Sequence, residues 1–412
     1  MDAFFDSPTR DGSGVVRDML QMQNETWKAA AKGWAGYARR RCRPTTTPLH
    51  VMADGMKWWW TMMDREEPQW ASPNEVMWDS GIAKLRDFSQ GSRKRVVPTL
   101  SLPPQAGHHS CIVDYLPEQS QLRAARAAGL ERVYAIEWLG VTKEIKDVTI
   151  DDYLAVIDRA VEDLGGKVNL IGNCQGGWLS TMWAALNPER VNTLIVGGAP
   201  IDTHAGNNVV AKYKHIMTPG GRIGHYRLLV KAGRGILPGP VMLISFIAMK
   251  PQNEVSKQLG LLAHLDDPEY VAHYAKFEDW YRYTVPLPGK VYLWAIEHLF
   301  LSNGLLSGDM EIGGQRLDVS RIKAPLYLLG GSHDHITPAP QVFALADHVG
   351  TRPEDIVKLT VPGGHIGLFI GHDSLRDFWG PMLADVAVRS HLAPAVRKLR
   401  TSDPDRSLAA VA

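Results

Sequence analysis

Residues 168–177 constrain this chain more than any other stretch. Val168-Asn169-Leu170-Ile171 has β preference and runs into Gly172-Asn173-Cys174-Gln175-Gly176-Gly177, and a helical segment begins near Trp178. A strand that turns at once into a helix forces its apex residue into a strained backbone conformation. The glycines two positions to either side are needed because a β-carbon there would meet the neighbouring strand or helix. The pattern is a nucleophile elbow with Cys174 where serine is usual. Such a turn exposes the sulfur and sets the next backbone amide, that of Gln175, where an oxyanion would form. The same letters also fit a glycine-rich turn around a buried, inert cysteine. The rest of the chain decides between the two.

Upstream, residues 1–92 read as a helical N-terminal region. Met19, Met22, Trp27 and Trp34 recur at helical spacing over 15–37, and Pro44 and Pro48 break that helix. Its basic end, Arg39-Arg40-Arg41-Cys42-Arg43, reads as a solvated helix terminus rather than a phosphate site. Residues 52–63 are dense in Trp and Met. They either pack as a layer on the core or present an apolar surface to a partner or a hydrophobic granule.

From about residue 94 strands and helices alternate. Strands are expected at 95–102, 132–138, 168–171, 191–196, 324–331 and 355–361, with helices at 120–129, 149–164 and 374–389. Near-continuous apolar strands of this kind predict an α/β fold with a mostly parallel sheet covered by helices on both faces. The core occupies 93–202 and 321–392. Residues 203–320 interrupt it as a helical insertion that reads as a cap over the site, and 393–412 reads as a loose polar tail.

Composition removes several classes of function. A net charge of +1 gives no reason to expect nucleic acid or an anionic membrane as the main partner. The apolar run over 236–249 is about fourteen residues long and contains Pro238 and Pro240, too short to span a bilayer. The three cysteines, Cys42, Cys111 and Cys174, show no disulfide or zinc spacing. That usage suits a reducing cytosol, and the N-terminus lacks the pattern of a secretory signal. Neither a phosphate loop nor a metal-ligand pattern is visible, so no cofactor and no metal are expected.

An α/β-hydrolase carries nucleophile, acid and histidine in that order, each after a strand. Asp334 follows the 326–329 strand in Gly330-Gly331-Ser332-His333-Asp334-His335, and His365 follows the last strand in Pro362-Gly363-Gly364-His365. His365 would take the proton of Cys174, and Asp334 would orient the imidazole. Asp202, after the 193–196 strand, is the second candidate acid. His333, His335, His108 and His109 are candidates for the edge of the site. The second oxyanion amide of such a fold arises after the first core strand, in Pro103-Pro104-Gln105-Ala106-Gly107-His108-His109, with Ala106 the candidate donor. Trp178, His335 and His108 are the candidate substrate contacts.

These motifs carry a resemblance. Gly172-Asn173-Cys174-Gln175-Gly176-Gly177, the run from Ala184 to Val191, and Ala199-Pro200-Ile201-Asp202 resemble the polyhydroxyalkanoate synthases, most of all the short catalytic subunit of the two-component type. Asp334-His335-Ile336-Thr337-Pro338, Gly363-Gly364-His365-Ile366-Gly367-Leu368, Ile112-Val113-Asp114-Tyr115 and Gly308-Asp309-Met310 are similar to further motifs of that family. Trp178 stands where these synthases usually carry a small threonine. The resemblance implies a nucleophile at Cys174, an acid at Asp334 and a base at His365. It also implies a 3-hydroxyacyl-coenzyme A substrate, and a homodimer or second synthase subunit. The protein would then be cytoplasmic and associated with polyester granules. A Cys-dependent polyester or thioester hydrolase on the same scaffold is the alternative, and a non-catalytic granule scaffold is a further one.

Overall fold

A computed structural model describes residues 12–92, 95–206, 218 and 221–391. The expected polar tail at 393–412 lies outside these residues. The chain divides into two compact units: residues 1–68 with 238–284, and residues 69–237 with 285–412. This division differs from the single insertion read over 203–320. Residues 238–284 of it group with the N-terminal helices, and the flanks on either side belong to the sheet-bearing unit. The partners that draw these segments apart lie some 200 residues away in sequence, beyond what a local pattern reveals.

The first unit is helical. Helix Gly12–Arg41 lies along helix Pro251–Ala263, and small residues permit the approach. A β-carbon on Gly33 would stand 2.3 Å from Leu259 Cβ, and one on Gly36 would stand 3.3 Å from Ala263 Cβ. Helices Pro48–Met63, Gly239–Met249 and Pro268–Arg282 complete the unit, whose small core centres on Leu261, Leu262, Leu265 and Tyr274. The arginine cluster is not the solvated helix end expected. Arg40 and Arg41 both pair with the buried Asp54, to which Tyr37 donates a further hydrogen bond. Burial works to raise the Asp54 carboxyl, but Arg41, Tyr37 and Arg40 together hold it below its ordinary value. Within the Trp/Met segment, Trp58 and Met62 pack against the small core of this unit, whereas Trp59 and Trp60 are exposed, as are Trp27 and Trp34 on the preceding helix. No described helix is long and apolar enough to cross a membrane.

The second unit is built on one eight-stranded sheet. Its strands, numbered in chain order, are β1 (Glu75–Asp79), β2 (Ala83–Asp87), β3 (Thr99–Leu102), β4 (Val133–Trp138), β5 (Val168–Asn173), β6 (Val191–Gly197), β7 (Leu326–Gly331) and β8 (Ile356–Val361). The spatial order is β1-β2-β4-β3-β5-β6-β7-β8, antiparallel across β1/β2 and β2/β4 and parallel from β4 to β8. This is the α/β-hydrolase arrangement. Every residue of β3, β4, β5 and β7 is buried, as expected of parallel strands covered on both faces. Strands β1 and β2 fall inside the region read as helical. Their signal is an alternation of only a few residues, with Ala83 and Leu85 turned inward and Lys84 and Arg86 less so. A helical period elsewhere in 1–92 obscures it.

Gly55 lies inside helix Pro48–Met63 with nothing within 4 Å of a built β-carbon. Gly55→Ala is expected to stabilise the helical unit by about 0.8 kcal/mol, the usual helix-interior difference between the two residues. Chemical denaturation followed by circular dichroism measures it, and a loss of stability would contradict the packing described.

Candidate active site

Parallel strands end on the same edge of a sheet. The segments that follow β3, β5, β7 and β8 therefore meet there, although they are far apart in sequence. Cys174 follows β5 directly and has φ 51° and ψ −116°, a conformation that a non-glycine residue rarely adopts. Its N–H donates to the Gly197 carbonyl at 2.8 Å, which anchors the turn to the end of β6. Helix Gln175–Leu186 then starts without a spacer.

The steric rule read from the glycines has a direct geometric form. A β-carbon on Gly176 would lie 2.0 Å from the Leu102 carbonyl oxygen, and one on Gly172 would lie 2.2 Å from Ser180 Oγ and 2.5 Å from the Gly176 carbonyl oxygen. Real β-carbons do not approach so closely. The elbow helix therefore sits on the end of β3 at a distance that only glycine allows.

Asp334 and His365 are brought together. His365 Nδ1 and Asp334 Oδ2 are 2.6 Å apart, and both residues are buried. The other carboxylate oxygen, Oδ1, accepts the N–H groups of Ile336 and Thr337, each at 2.9 Å. Asp334 is thus a turn residue and the partner of His365 at once. The imidazole also interacts with the Cys174 side chain. A β-carbon on Gly198, next to the glycine that anchors Cys174, would lie 3.3 Å from His365 Cε1. Burial works to lower the His365 imidazole, but the charges of Cys174 and Asp334 and its hydrogen bonds to them outweigh this and raise it from 6.5 to about 10.

Asp202, the second candidate acid, does other work. Its Oδ1 accepts from His204 N at 2.9 Å, Ala205 N at 3.1 Å and Asn303 Nδ2 at 2.8 Å, which holds the loop after β6. His333 is exposed, with Nδ1 2.9 Å from Ser332 Oγ, and His335 is half-buried on the same loop. His109 caps the short turn Ser110–Val113, its Nδ1 accepting from Cys111 N, and its Nε2 pairs with Glu137 at 3.3 Å. Burial works to raise Glu137, yet His109 and Arg86 hold it at about 2. Arg86 and Glu137 form a structural ion pair that His109 adjoins. Trp178 is buried in the main hydrophobic cluster, its ring centroid 6.1 Å from that of Trp294.

The segment after β3 is pinned rather than loose. The Pro103 carbonyl accepts from Trp138 Nε1 at 3.0 Å, Gln105 Nε2 donates to Tyr153 Oη at 2.9 Å, and Gly107, with φ 84°, accepts from Val285 N at 2.8 Å. Ala106 and His108 are buried within it. Gln175 is the first residue of its helix, so its N–H has no carbonyl one turn earlier to bond with. Among the described residues no group of three or more His, Cys, Asp and Glu is placed to hold a metal ion.

Sequence reading missed a set of buried amides. Gln119 Nε2 donates to the Ile370 carbonyl at 2.7 Å, Gln121 Nε2 to the Phe369 carbonyl at 3.2 Å, and Asn173 Nδ2 to Gln121 Oε1 at 2.7 Å. Nothing in the local sequence marks them, because their partners are distant in the chain.

The family model described as "Protein of unknown function (DUF3141)" matches residues 82–397. The chain is 29% identical over 273 residues to "Poly(3-hydroxyalkanoate) polymerase subunit PhaC" of Allochromatium vinosum, covering 65% of this chain and 74% of that protein. It is 25% identical over 321 residues to a protein of the same name from Haloferax mediterranei, covering 76% of this chain and 63% of that one, less than two thirds of its length. A solved monoacylglycerol lipase from Paleococcus ferrophilus aligns with TM-score 0.45 at 18% identity, over 72% of this chain and 98% of that one. The chain belongs to the DUF3141 family, and it is a relative of the polyhydroxyalkanoate polymerases on an α/β-hydrolase fold.

The His365 shift has a measurable sign. Its protonated form is favoured by folding, so the stability it contributes is complete below the ordinary 6.5 and is lost as pH rises through about 10. NMR of ring-labelled histidine is expected to show His365 titrating well above 6.5, and Asp334→Asn is expected to lower that value. A titration near 6.5 in both proteins would contradict the coupling.

Proposed function

We propose that this DUF3141 family member is an acyltransferase of the polyhydroxyalkanoate synthase type, with Cys174 as nucleophile, His365 as its proton partner and Asp334 as the orienting acid. The observation that carries the reading is the hydrogen-bonded His365–Asp334 pair beside a cysteine on a strained elbow. The named relatives of the chain, which are polymerases, support the same class of reaction.

In this reading the Cys174 proton passes to His365, and the sulfur attacks the thioester carbonyl of a 3-hydroxyacyl-coenzyme A. The oxyanion rests on the backbone amides of Gln175 and Ala106. As the carbon–sulfur bond to coenzyme A breaks, His365 returns the proton to the departing thiolate. One thioester replaces another, so the acyl-enzyme lies close in energy to its donor. That is a reason to use cysteine where an esterase uses serine.

Acylation also changes His365. A thiolate at Cys174 would be the largest influence raising the imidazole, and a thioester carries no charge there. His365 then falls toward its ordinary range and can accept the proton of an incoming hydroxyl. That hydroxyl, on a second hydroxyacyl group, attacks the acyl-enzyme carbonyl, an ester forms, and Cys174 is released. Of the three candidate substrate contacts, half-buried His335 is the accessible one in this account, since Trp178 and His108 are buried. The enzyme works in the cytoplasm at the surface of its polyester product, as a homodimer or with a second subunit.

Purified protein supplied with 3-hydroxybutyryl-coenzyme A is expected to release free thiol and form insoluble polymer together. Cys174→Ala is expected to lower thiol release by at least about 10³-fold, a loss typical for a removed nucleophile, whereas Cys42→Ala and Cys111→Ala leave it near the parent level. Thiol release with only free 3-hydroxybutyrate would move the assignment to a hydrolase. Equal losses in all three variants would remove Cys174 from the chemistry.

A further inference from the structure

Helix His365–Ile370 is six residues long and carries His365 at its first position. So short a helix has too few internal hydrogen bonds to hold itself, and its last carbonyls need partners from outside. Side chains supply them. The Leu368 carbonyl accepts from Ser374 Oγ at 2.7 Å and Trp379 Nε1 at 2.9 Å. The Phe369 carbonyl accepts from Gln121 and the Ile370 carbonyl from Gln119.

Gln121 differs from the others in what its second group does. Its Oε1 accepts from Asn173 Nδ2 at 2.7 Å, and Asn173 is the last residue of β5, covalently joined to Cys174. Gln121 and Asn173 are 1% and 0% exposed, so neither contact is open to bulk solvent. One planar amide therefore joins the residue before the nucleophile to the helix led by the histidine. Phe369, whose carbonyl it holds, also stands edge-to-face with the His365 imidazole, with centroids 5.1 Å apart. Gln119 offers an internal comparison, because it donates to the same helix end at 2.7 Å without reaching the elbow.

We infer that Gln121 is a positioning residue, which through Asn173 on one side and the Phe369 carbonyl on the other sets the separation of Cys174 and His365. Both an acceptor and a donor are required on one rigid group. Glutamine provides them; a carboxylate at this position would accept from Asn173 but could not donate to Phe369, and an apolar residue would do neither. The inference rests on the Cys174–His365 assignment proposed above, and its test separates the two.

The test follows alkylation of Cys174 by iodoacetamide in the full chain from pH 5 to 10, reading the Cys174 peptide by mass spectrometry. The parent protein is expected to show a rate that depends on His365 and falls at least about tenfold at pH 7 in His365→Ala, since thiolate and imidazolium stabilise each other. Gln121→Met, close in volume, is expected to lower the rate at pH 7 about tenfold and to move the pH profile toward that of His365→Ala. Gln119→Met, which removes one hydrogen bond from the same helix end, is expected to keep the parental profile. Asn173→Ala provides a second route to the same break, and combining it with Gln121→Met should add little further loss.

Unfolding midpoints measured in parallel separate a general loss of structure, which would affect the Gln119 and Gln121 variants alike, from a loss of alignment. A parental alkylation profile in Gln121→Met would overturn the positioning role. A parent rate indifferent to His365→Ala would instead overturn the Cys174–His365 assignment.

Discussion

The site depends on how closely the elbow helix approaches the end of β3. With a glycine at 176 the helix backbone passes the Leu102 carbonyl at a distance that forbids even one additional carbon. That contact holds the start of helix Gln175–Leu186 against the segment beginning at Pro103, so the amides after the nucleophile and those after β3 share one corner. The strained backbone at Cys174 is sustained by what surrounds it: the Gly197 carbonyl on its N–H, the fully buried strand before it and the helix after it. A residue in such a conformation costs on the order of 1–3 kcal/mol, and it persists because its neighbours leave no alternative.

On the histidine side the design is different. Cys174 is placed by regular elements, whereas His365 sits at the head of a helix too short to stand alone. Its place comes from polar contacts in a dry interior: Asp334 at the ring, and Ser374, Trp379, Gln121 and Gln119 at the far end of the helix. Buried hydrogen bonds of this kind add little net stability when made and cost about 1–3 kcal/mol when broken. They suit a site that needs one geometry rather than a more stable fold.

Much of this was legible in the chain. The elbow is a local pattern, and the order Cys174, Asp334, His365 is tied to strand ends, so an α/β reading was enough to bring them to one edge. What escaped has a common physical cause: contacts between residues distant in sequence. Asp202 follows a strand as an acid would, yet Asn303 and two backbone amides use its carboxylate for a loop. Arg40 and Arg41 look like a solvated helix end until Asp54, buried in the next helix, is seen to pair with both. His109 has the composition of a site residue, but Glu137 and the Cys111 amide take up its two nitrogens. Strands β1 and β2 were too short to outweigh the helical period around them. Gln121 gave no sign at all, because a glutamine reads as surface unless its partners are known.

The central claim is that an acyl group passes through Cys174. Intact-protein and peptide mass spectrometry of the enzyme, quenched in acid within seconds of mixing with 3-hydroxybutyryl-coenzyme A, tests it most directly. The account predicts a hydroxyacyl adduct on the Cys174 peptide of the parent enzyme, and none in Cys174→Ala. Release of coenzyme A at the parental rate by Cys174→Ala, or an adduct confined to Cys42 or Cys111, would contradict it.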